Sequence, residues 1–199
     1  LDVGAGIGRY VRHLRMAGVD AHGVDGIPGV SNFTQGLVQE HDLVRPFAAP
    51  CRQYDVVSSL EVGEHIPFHR QHDFLSNVNC SCHPTRCVLL LSWAPPGQFG
   101  SGHINTRHAR ELHWALTANY SCVGTRSFFG CEAAARTRSF GFRYDWNATM
   151  HMRARTKLSY MRPNLMVFRR RRQPRSFSPD EGDSERFWQR IRAGRLAAP

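Results

Sequence analysis

The 199-residue chain has no long apolar segment and almost no lysine. No stretch approaches the ~18 consecutive apolar residues of a membrane-spanning helix, so we predict that no segment spans a membrane. Lys157 is the only lysine, and the other 25 basic residues are arginines. The six cysteines are too few for the disulfide framework of a small secreted domain. We therefore predict reduced thiols and a cytoplasmic location.

The composition is that of a folded domain with a basic end. Apolar residues make up 41% of the chain and charged residues 21%, which suits one globular domain and excludes full disorder. The net charge of +10 is uneven, because residues 169–199 hold nine arginines and four acidic residues. Such a segment either solvates the domain or attracts nucleic acid through its field. We predict a flexible basic tail over residues 172–199.

Apolar segments of strand length alternate with segments of helical period, which is typical of an α/β sheet. The predicted strands end at residues 3 and 25 and cover 37–40, 54–60, 87–93, 121–129 and 164–168. The predicted helices cover 9–17, 68–78, 106–119 and 185–191. These elements form one domain over residues 1–171, with an insertion at 131–162. Because the chain begins at Leu1 inside a strand, we expect part of that strand to lie upstream.

The first strand runs into a glycine-rich turn, Asp2-Val3-Gly4-Ala5-Gly6-Ile7-Gly8, that opens onto a helix. Glycine permits positive φ and close approach of a ligand, and the helix N-terminus offers unpaired N–H groups. A dinucleotide site of the form G-x-G-x-x-G/A would need a small residue at Arg9, which disfavours a nicotinamide-dependent oxidoreductase. The carboxylate of Asp2 suits a ligand that carries an ammonium group.

This turn resembles motif I, [D/E]-x-G-x-G-x-G, of the class I S-adenosylmethionine-dependent methyltransferases. The resemblance extends over residues 1–129 and 163–171 and includes the segment 54–67, which ends in Glu-His-Ile-Pro. It implies a Rossmann-like, mostly parallel sheet flanked by helices, with the last strand antiparallel. It also implies S-adenosyl-L-methionine as the cofactor and methyl transfer as the activity.

The resemblance assigns cofactor contacts to the ends of four strands. They are Asp2, Gly4, Ala5, Gly6 and Gly8 for the methionine part, Asp25 and Gly26 for the ribose, Asp42 and Leu43 for the adenine, and Leu60 and Glu61 after the fourth strand. A carboxylate such as that of Asp25 can accept both hydrogen bonds of a ribose diol. Asp25 and Asp42 could equally cap helices.

Methyl transfer from a sulfonium is an in-line displacement that depends mainly on alignment, and a base helps when the nucleophile is a hydroxyl or a protonated amine. His65 follows the fourth strand and His103 lies in the loop after the fifth, at the edge where open α/β sheets bind ligands. We predict both as proton acceptors, the alternative being that each only bonds a loop carbonyl. Glu61 could contact either cofactor or substrate.

No motif identifies the methyl acceptor. The absence of a base-reading motif favours a small molecule. The alternative to an enzyme is a catalytically degenerate module that binds the cofactor, or that binds nucleic acid through its arginine-rich tail.

Two groups of residues in the sequence combine types that bind metals, and neither predicts a metal site. Cys80, Cys82, His83 and Cys87 do not have the spacing of paired zinc knuckles, so we expect them to cap a helix and begin the next strand. His65, His69 and His72 have helical spacing, and we expect the polar side of a helix there.

Overall fold

The structure is a computed structural model that describes residues 1–47, 54–117 and 140–171. The strands in these ranges are β1 (Asp2–Val3), β2 (Gly23–Asp25), β3 (Val38–Glu40), β4 (Val56–Leu60), β5 (Val88–Ser92), β6 (Phe142–Tyr144) and β7 (Met166–Arg170). The α-helices are α1 (Arg9–Met16), α2 (Val30–Phe33), α3 (Gln71–Ser81), α4 (Ala109–Thr117) and α5 (Trp146–Arg155). Short 3₁₀ turns lie at Gly63–His65, Phe68–Arg70 and Arg162–Asn164.

All the described strands belong to one sheet, in the order β3-β2-β1-β4-β5-β7-β6. The pairings among β1 to β5 are parallel, whereas β7 is antiparallel to both of its neighbours. This arrangement confirms the predicted α/β, Rossmann-like sheet with an antiparallel last strand. The strand order reverses at β1, which lies between β2 and β4. Ligands of open α/β sheets bind in the crevice at the carboxyl ends of such strands.

The core joins the central strands to the helices α3 and α4. Leu89 and Leu91 of β5 are fully buried, as are Phe74 of α3, Leu112 of α4 and Phe168 of β7. Burying a side chain of this size contributes about 1.5–3 kcal/mol relative to leaving it exposed. In β5 the residues Leu89 and Leu91 are fully buried, whereas Val88 and Leu90 on the other face are half-buried, so one face is covered more completely than the other.

Two helices begin later than the sequence predicts. The segment predicted as a helix from residue 68 first forms the 3₁₀ turn Phe68–Arg70, and α3 follows it. The other predicted helix begins at Ala109 rather than at residue 106. Its expected first turn is instead bonded to the segment that follows β5, because the backbone N–H of Arg107 donates to the Ala94 carbonyl.

Part of the predicted insertion contributes to the sheet. Within 140–162, β6 forms an edge of the sheet and α5 follows it, with Asp145 accepting a hydrogen bond from the Ala148 N–H as the helix cap. A three-residue edge strand is too short to show an alternating pattern. The strand predicted at 121–129, the helix predicted at 185–191 and the basic tail from 172 lie outside the described residues.

The cysteines differ from the prediction. Cys82 and Cys87 form a disulfide across the turn between α3 and β5, where their Cα atoms lie 5.3 Å apart, and Cys80 is also disulfide-bonded. The prediction of reduced thiols is therefore wrong for these three residues. A low cysteine count did not reveal that the turn brings two of them within bonding range. Oxidised sulfurs also lack the thiolate that zinc requires.

No helix in the described ranges combines the length and apolar character of a membrane span.

One core residue makes the stability of the domain dependent on pH. His113 of α4 is 2% exposed and packs against the rings of Tyr144 and Phe168. Burial, reinforced by the charge of Arg171, lowers the pKa of His113 from 6.5 to about 4. The unfolded chain takes up the proton near pH 6.5, whereas the folded chain does so only near pH 4. The free energy of unfolding should therefore fall as the pH decreases between these two values.

Between pH 7 and pH 4 the free energy of unfolding of the wild type should fall. We expect this fall to be smaller in His113→Gln by up to about 3 kcal/mol, because the variant has no imidazole at this position. The measurement is urea unfolding across this range. His13→Gln is the matched control, because His13 is exposed on α1 and the variant should keep the wild-type pH dependence. A pH dependence in His113→Gln equal to that of the wild type would contradict the assignment.

Candidate functional site

The glycine loop after β1 approaches its neighbours too closely for side chains. Gly4, Gly6 and Gly8 have φ of +82°, +54° and +77°. A Cβ on Gly4 would lie 2.2 Å from the nearer methyl carbon of Val62, just beyond β4, and a Cβ on Gly8 would lie 2.8 Å from Val38. The loops that follow β1 and β4 are therefore in direct contact at the point where the strand order reverses. Ala5 lies between these glycines and is half-buried.

Asp2 places a buried carboxylate beneath the glycine loop. The residue is 4% exposed, and its Oδ1 accepts a hydrogen bond of 2.7 Å from the Ser58 hydroxyl of β4. Burial raises the pKa of Asp2, the Ser58 hydrogen bond lowers it, and the neighbouring charge of Asp25 raises it further. A cation bound nearby would stabilise the charged form of this carboxylate.

Asp25 joins the end of β2 to the glycine loop. Its Oδ2 accepts a hydrogen bond of 2.7 Å from the Gly6 N–H, and its Oδ1 accepts one of 3.0 Å from the Ile27 N–H. A carboxylate oxygen has two lone pairs, so each oxygen can still accept a ligand hydroxyl. Asp25 is half-buried and the adjacent Gly26 is exposed, which leaves the end of β2 open to a ligand.

Asp42 and Leu43 lie beyond β3 in two different environments. Asp42 is exposed, accepts a hydrogen bond from the Val44 N–H and lies 3.4 Å from Arg45. Leu43 is 7% exposed and packs in the core. The adenine contact assigned to this pair stays a prediction.

The chain leaves β4 through a residue with an unusual backbone conformation. Leu60 is half-buried, and the next residue, Glu61, has φ of +56°. Positive φ is uncommon outside glycine and occurs often at functional sites. The Glu61 N–H donates to Ser92 at the end of β5, and its Oε2 accepts a hydrogen bond of 2.8 Å from Gln98. Glu61 thus connects the loops that follow β4 and β5.

His65 and His103, predicted from separate loops, lie together. Their ring centroids are 5.1 Å apart. The Nδ1 of His65 lies 3.0 Å from the Gly102 carbonyl oxygen, and the Nδ1 of His103 lies 3.1 Å from that of Gln98. A carbonyl only accepts hydrogen bonds, so each Nδ1 carries the proton and each Nε2 keeps a lone pair. A histidine here can therefore bond a loop carbonyl and also accept a proton. The carbonyl orients the ring through Nδ1, and Nε2 keeps the lone pair.

Glu64 lies in the candidate site, although no motif in the sequence assigns it a role. It is fully buried, and its Oε1 lies 3.9 Å from the Nε2 of His103. Neither carboxylate oxygen has a hydrogen-bond partner among the described residues. Burial is the largest influence on the pKa of Glu64 and raises it to about 7. The backbone N–H groups of Glu64 and Ala94 act in the opposite direction, and the charge of Glu61 acts in the same direction as burial. The one sequence signal for Glu64 is that it directly precedes the predicted site residue His65. Only the fold shows that Glu64 is buried.

A family model described as a methyltransferase domain matches residues 1–133. The chain belongs to this family. The domain is thus of the methyltransferase type that the glycine turn predicted, with S-adenosylmethionine as its cofactor. A search of curated proteins finds no significant match.

Two solved structures show the same fold at low sequence identity. An S-adenosylmethionine-dependent methyltransferase from Archaeoglobus fulgidus is 15% identical, with a TM-score of 0.54 over 85% of this chain and 84% of that one. Phosphoethanolamine N-methyltransferase 1 from Haemonchus contortus is also 15% identical, with a TM-score of 0.54 over 98% of this chain and 43% of that one. The PH0226 protein from Pyrococcus horikoshii matches with a TM-score of 0.40, and the match covers 45% of its length.

We expect Gly4→Ala to destabilise the domain and to weaken cofactor binding. The added methyl group would meet Val62, and alanine at positive φ adds strain of about 1–2 kcal/mol. Gly18→Ala is the matched control, because Gly18 has φ of +80° and nothing within 4 Å of its Cβ position. Urea unfolding should show a larger loss in the free energy of unfolding for Gly4→Ala than for Gly18→Ala. The difference between the two losses measures the contact between position 4 and Val62. Equal losses would mean that the close approach of the two loops is absent.

We expect Asp25→Ala to weaken binding of S-adenosylmethionine by about 1–3 kcal/mol, the scale of hydrogen bonds to a charged group. Isothermal titration calorimetry measures the dissociation constant. Asp20→Ala is the control, because the side chain of Asp20 is 93% exposed. This variant should bind S-adenosylmethionine with the affinity of the wild type. An unchanged constant for Asp25→Ala would show that the ribose assignment is wrong.

Proposed function

We propose that this chain transfers the methyl group of S-adenosylmethionine to a hydroxyl or amine of a small molecule, with His65 and His103 at the acceptor side. The observation that carries this proposal is the contact between Gly4 and Val62. It joins the loop predicted to hold the donor to the segment that leads into His65. Donor and acceptor would thus meet at one crevice, as an in-line displacement requires.

The donor side has the features that a positively charged nucleoside needs. The cofactor supplies a methyl group already activated on a sulfonium. Asp2 offers a buried carboxylate for its ammonium group. Gly6 allows the backbone to approach the cofactor, because nothing lies within 4 Å of its Cβ position. Asp25 accepts hydrogen bonds from the ribose hydroxyls with its remaining lone pairs. Asp42 and Leu43 for the adenine, and Leu60 with Glu61 after the fourth strand, are the further cofactor contacts of this proposal.

The acceptor side combines basic nitrogens with apolar surface. The Nε2 atoms of His65 and His103 each keep a lone pair that can accept a proton from the acceptor, because the Nδ1 atoms lie against loop carbonyls. Phe99 is fully exposed and Ile104 is 64% exposed, and both belong to the loop that carries His103. Exposed apolar side chains beside a polar centre suit a small acceptor that has an apolar body and one nucleophilic group.

The test begins with the acceptor. The chain is incubated with S-adenosylmethionine and, separately, with catechol, ethanolamine or total tRNA, and release of S-adenosylhomocysteine is measured. We expect turnover with a small-molecule probe and none with tRNA. Cofactor binding without turnover on any probe would favour the degenerate binding module, and turnover on tRNA alone would favour a nucleic-acid substrate. Either result contradicts the proposal.

With the probe that supports turnover, His65→Gln and His103→Gln should each lower kcat by about 10²–10⁴-fold, the usual contribution of a general base. The affinity for S-adenosylmethionine should not change, because neither residue is placed at the donor. His69→Gln, at an exposed position in the same segment, is the control and should retain full turnover. Full activity in both site variants would remove the histidines from the mechanism.

A further inference from the structure

Three side chains from the loops after β4 and β5 converge in a way that the proposed function does not explain. Glu64, His65 and His103 each present one ligand atom, and these atoms lie within 4.8 Å of one another. We propose that they form a binding site for a divalent transition-metal cation. Ligand atoms around a zinc-sized ion lie about 3–3.5 Å apart, so these three atoms would move closer together around a bound ion.

The burial of Glu64 is the observation that points to a ligand. Its side chain is fully buried, and both carboxylate oxygens lack a hydrogen-bond partner in the described part of the chain. A second carboxylate oxygen, Oε1 of Glu61, is also buried without a partner there. Among the ion pairs of the described residues, Glu64 has only His103. Buried charges are normally paired or bind a metal, so this concentration of unpaired carboxylate oxygen favours a bound cation.

The two histidines are already oriented as metal ligands usually are. A metal-binding imidazole typically donates its second N–H to a carboxylate or a backbone carbonyl, which fixes the tautomer and the ring plane. His65 does so with Gly102 and His103 does so with Gln98, and each Nε2 keeps its lone pair. Gly100 lies so close to the His103 ring that a Cβ there would be 2.1 Å from Nε2. The loop is thus shaped around the ring.

The donor set indicates the class of metal. Two imidazoles and one carboxylate suit Zn²⁺, Mn²⁺ or Fe²⁺ and leave coordination positions open. A hydroxyl oxygen of the acceptor could occupy one of these positions, where the cation would lower the pKa of that hydroxyl. The histidines would then act as ligands rather than as bases. This last step rests on the proposed function, because it needs the acceptor at this site, whereas the cation site itself does not.

The test uses Co²⁺ alone as a spectroscopic probe on the full chain after treatment with EDTA and desalting. We expect one saturable site per chain, with visible absorption from the bound ion. Glu64→Gln and His103→Gln should weaken Co²⁺ binding by about 100-fold or more, whereas His69→Gln should bind as the wild type does. His65→Gln is included because His65 is exposed and its replacement leaves the core intact. Circular dichroism and urea unfolding verify that each variant is folded.

Two outcomes overturn the cation site: no saturable Co²⁺ binding below ~0.1 mM, or equal affinity in the wild type and in every folded site variant. Titration of the EDTA-treated protein with S-adenosylmethionine separates this proposal from the previous one. Cofactor binding without Co²⁺ binding overturns only the cation site. Co²⁺ binding without cofactor binding supports the cation site and contradicts the proposed methyl transfer.

Discussion

The close approach of the loops after β1 and β4 is the constraint on which the candidate site depends. Gly4 has no side chain, and Val62 occupies the space that a Cβ would need. If these loops were separated, the predicted donor cradle and the two histidines would not share a crevice. The reversal of strand order at β1 creates this meeting point, and the glycine permits the distance. The fold therefore determines where the candidate site lies, and the glycine at position 4 allows the two loops to come into contact.

The charge around this crevice is opposite to the charge of the whole chain. The chain carries a net charge of +10, yet Asp2, Glu61 and Glu64 place buried or partly buried carboxylates along the ends of β1 and β4. Overall basicity thus says little about the ligand. A local group of carboxylates in a low-dielectric crevice selects cations, because solvent screens it less than it screens the arginines on the surface. A sulfonium nucleoside and a divalent cation are both consistent with this field.

Local backbone requirements explain why the glycine loop could be predicted from sequence. A turn that needs positive φ at Gly4, Gly6 and Gly8 leaves a glycine spacing that is visible in the chain. The central strand β5 is equally visible, because residues 88–91 form an unbroken apolar segment of strand length. The start of α4 depends on a tertiary contact instead, since the Arg107 N–H bonds to Ala94 beyond β5 and the helix begins later than its pattern predicts.

Features that depend on tertiary contacts could not be predicted in this way. The edge strand β6 is defined only by its pairing with β7. The Cys82–Cys87 disulfide depends on a turn that brings two Cα atoms within range, and composition does not reveal such a turn. The disulfide also removes the observation from which a reducing, cytoplasmic environment was predicted. Glu64 is an ordinary polar residue in the sequence, and only its complete burial beside His103 gives it chemical significance.

The loops after β4 and β5 are held together by contacts that lie outside the reacting groups. Gly63 allows Trp93 to pack against it, since a Cβ there would lie 2.1 Å from the indole ring. The Trp93 Nε1–H donates to the Asn105 carbonyl, and the Ile104 and Asn105 N–H groups both donate to the Glu64 carbonyl. The Glu64 carbonyl therefore accepts two hydrogen bonds, which fix this residue between the two loops. A fold that fixes the residue there and buries its carboxylate beside His103 favours positive charge at that point, which a bound cation or a proton would supply.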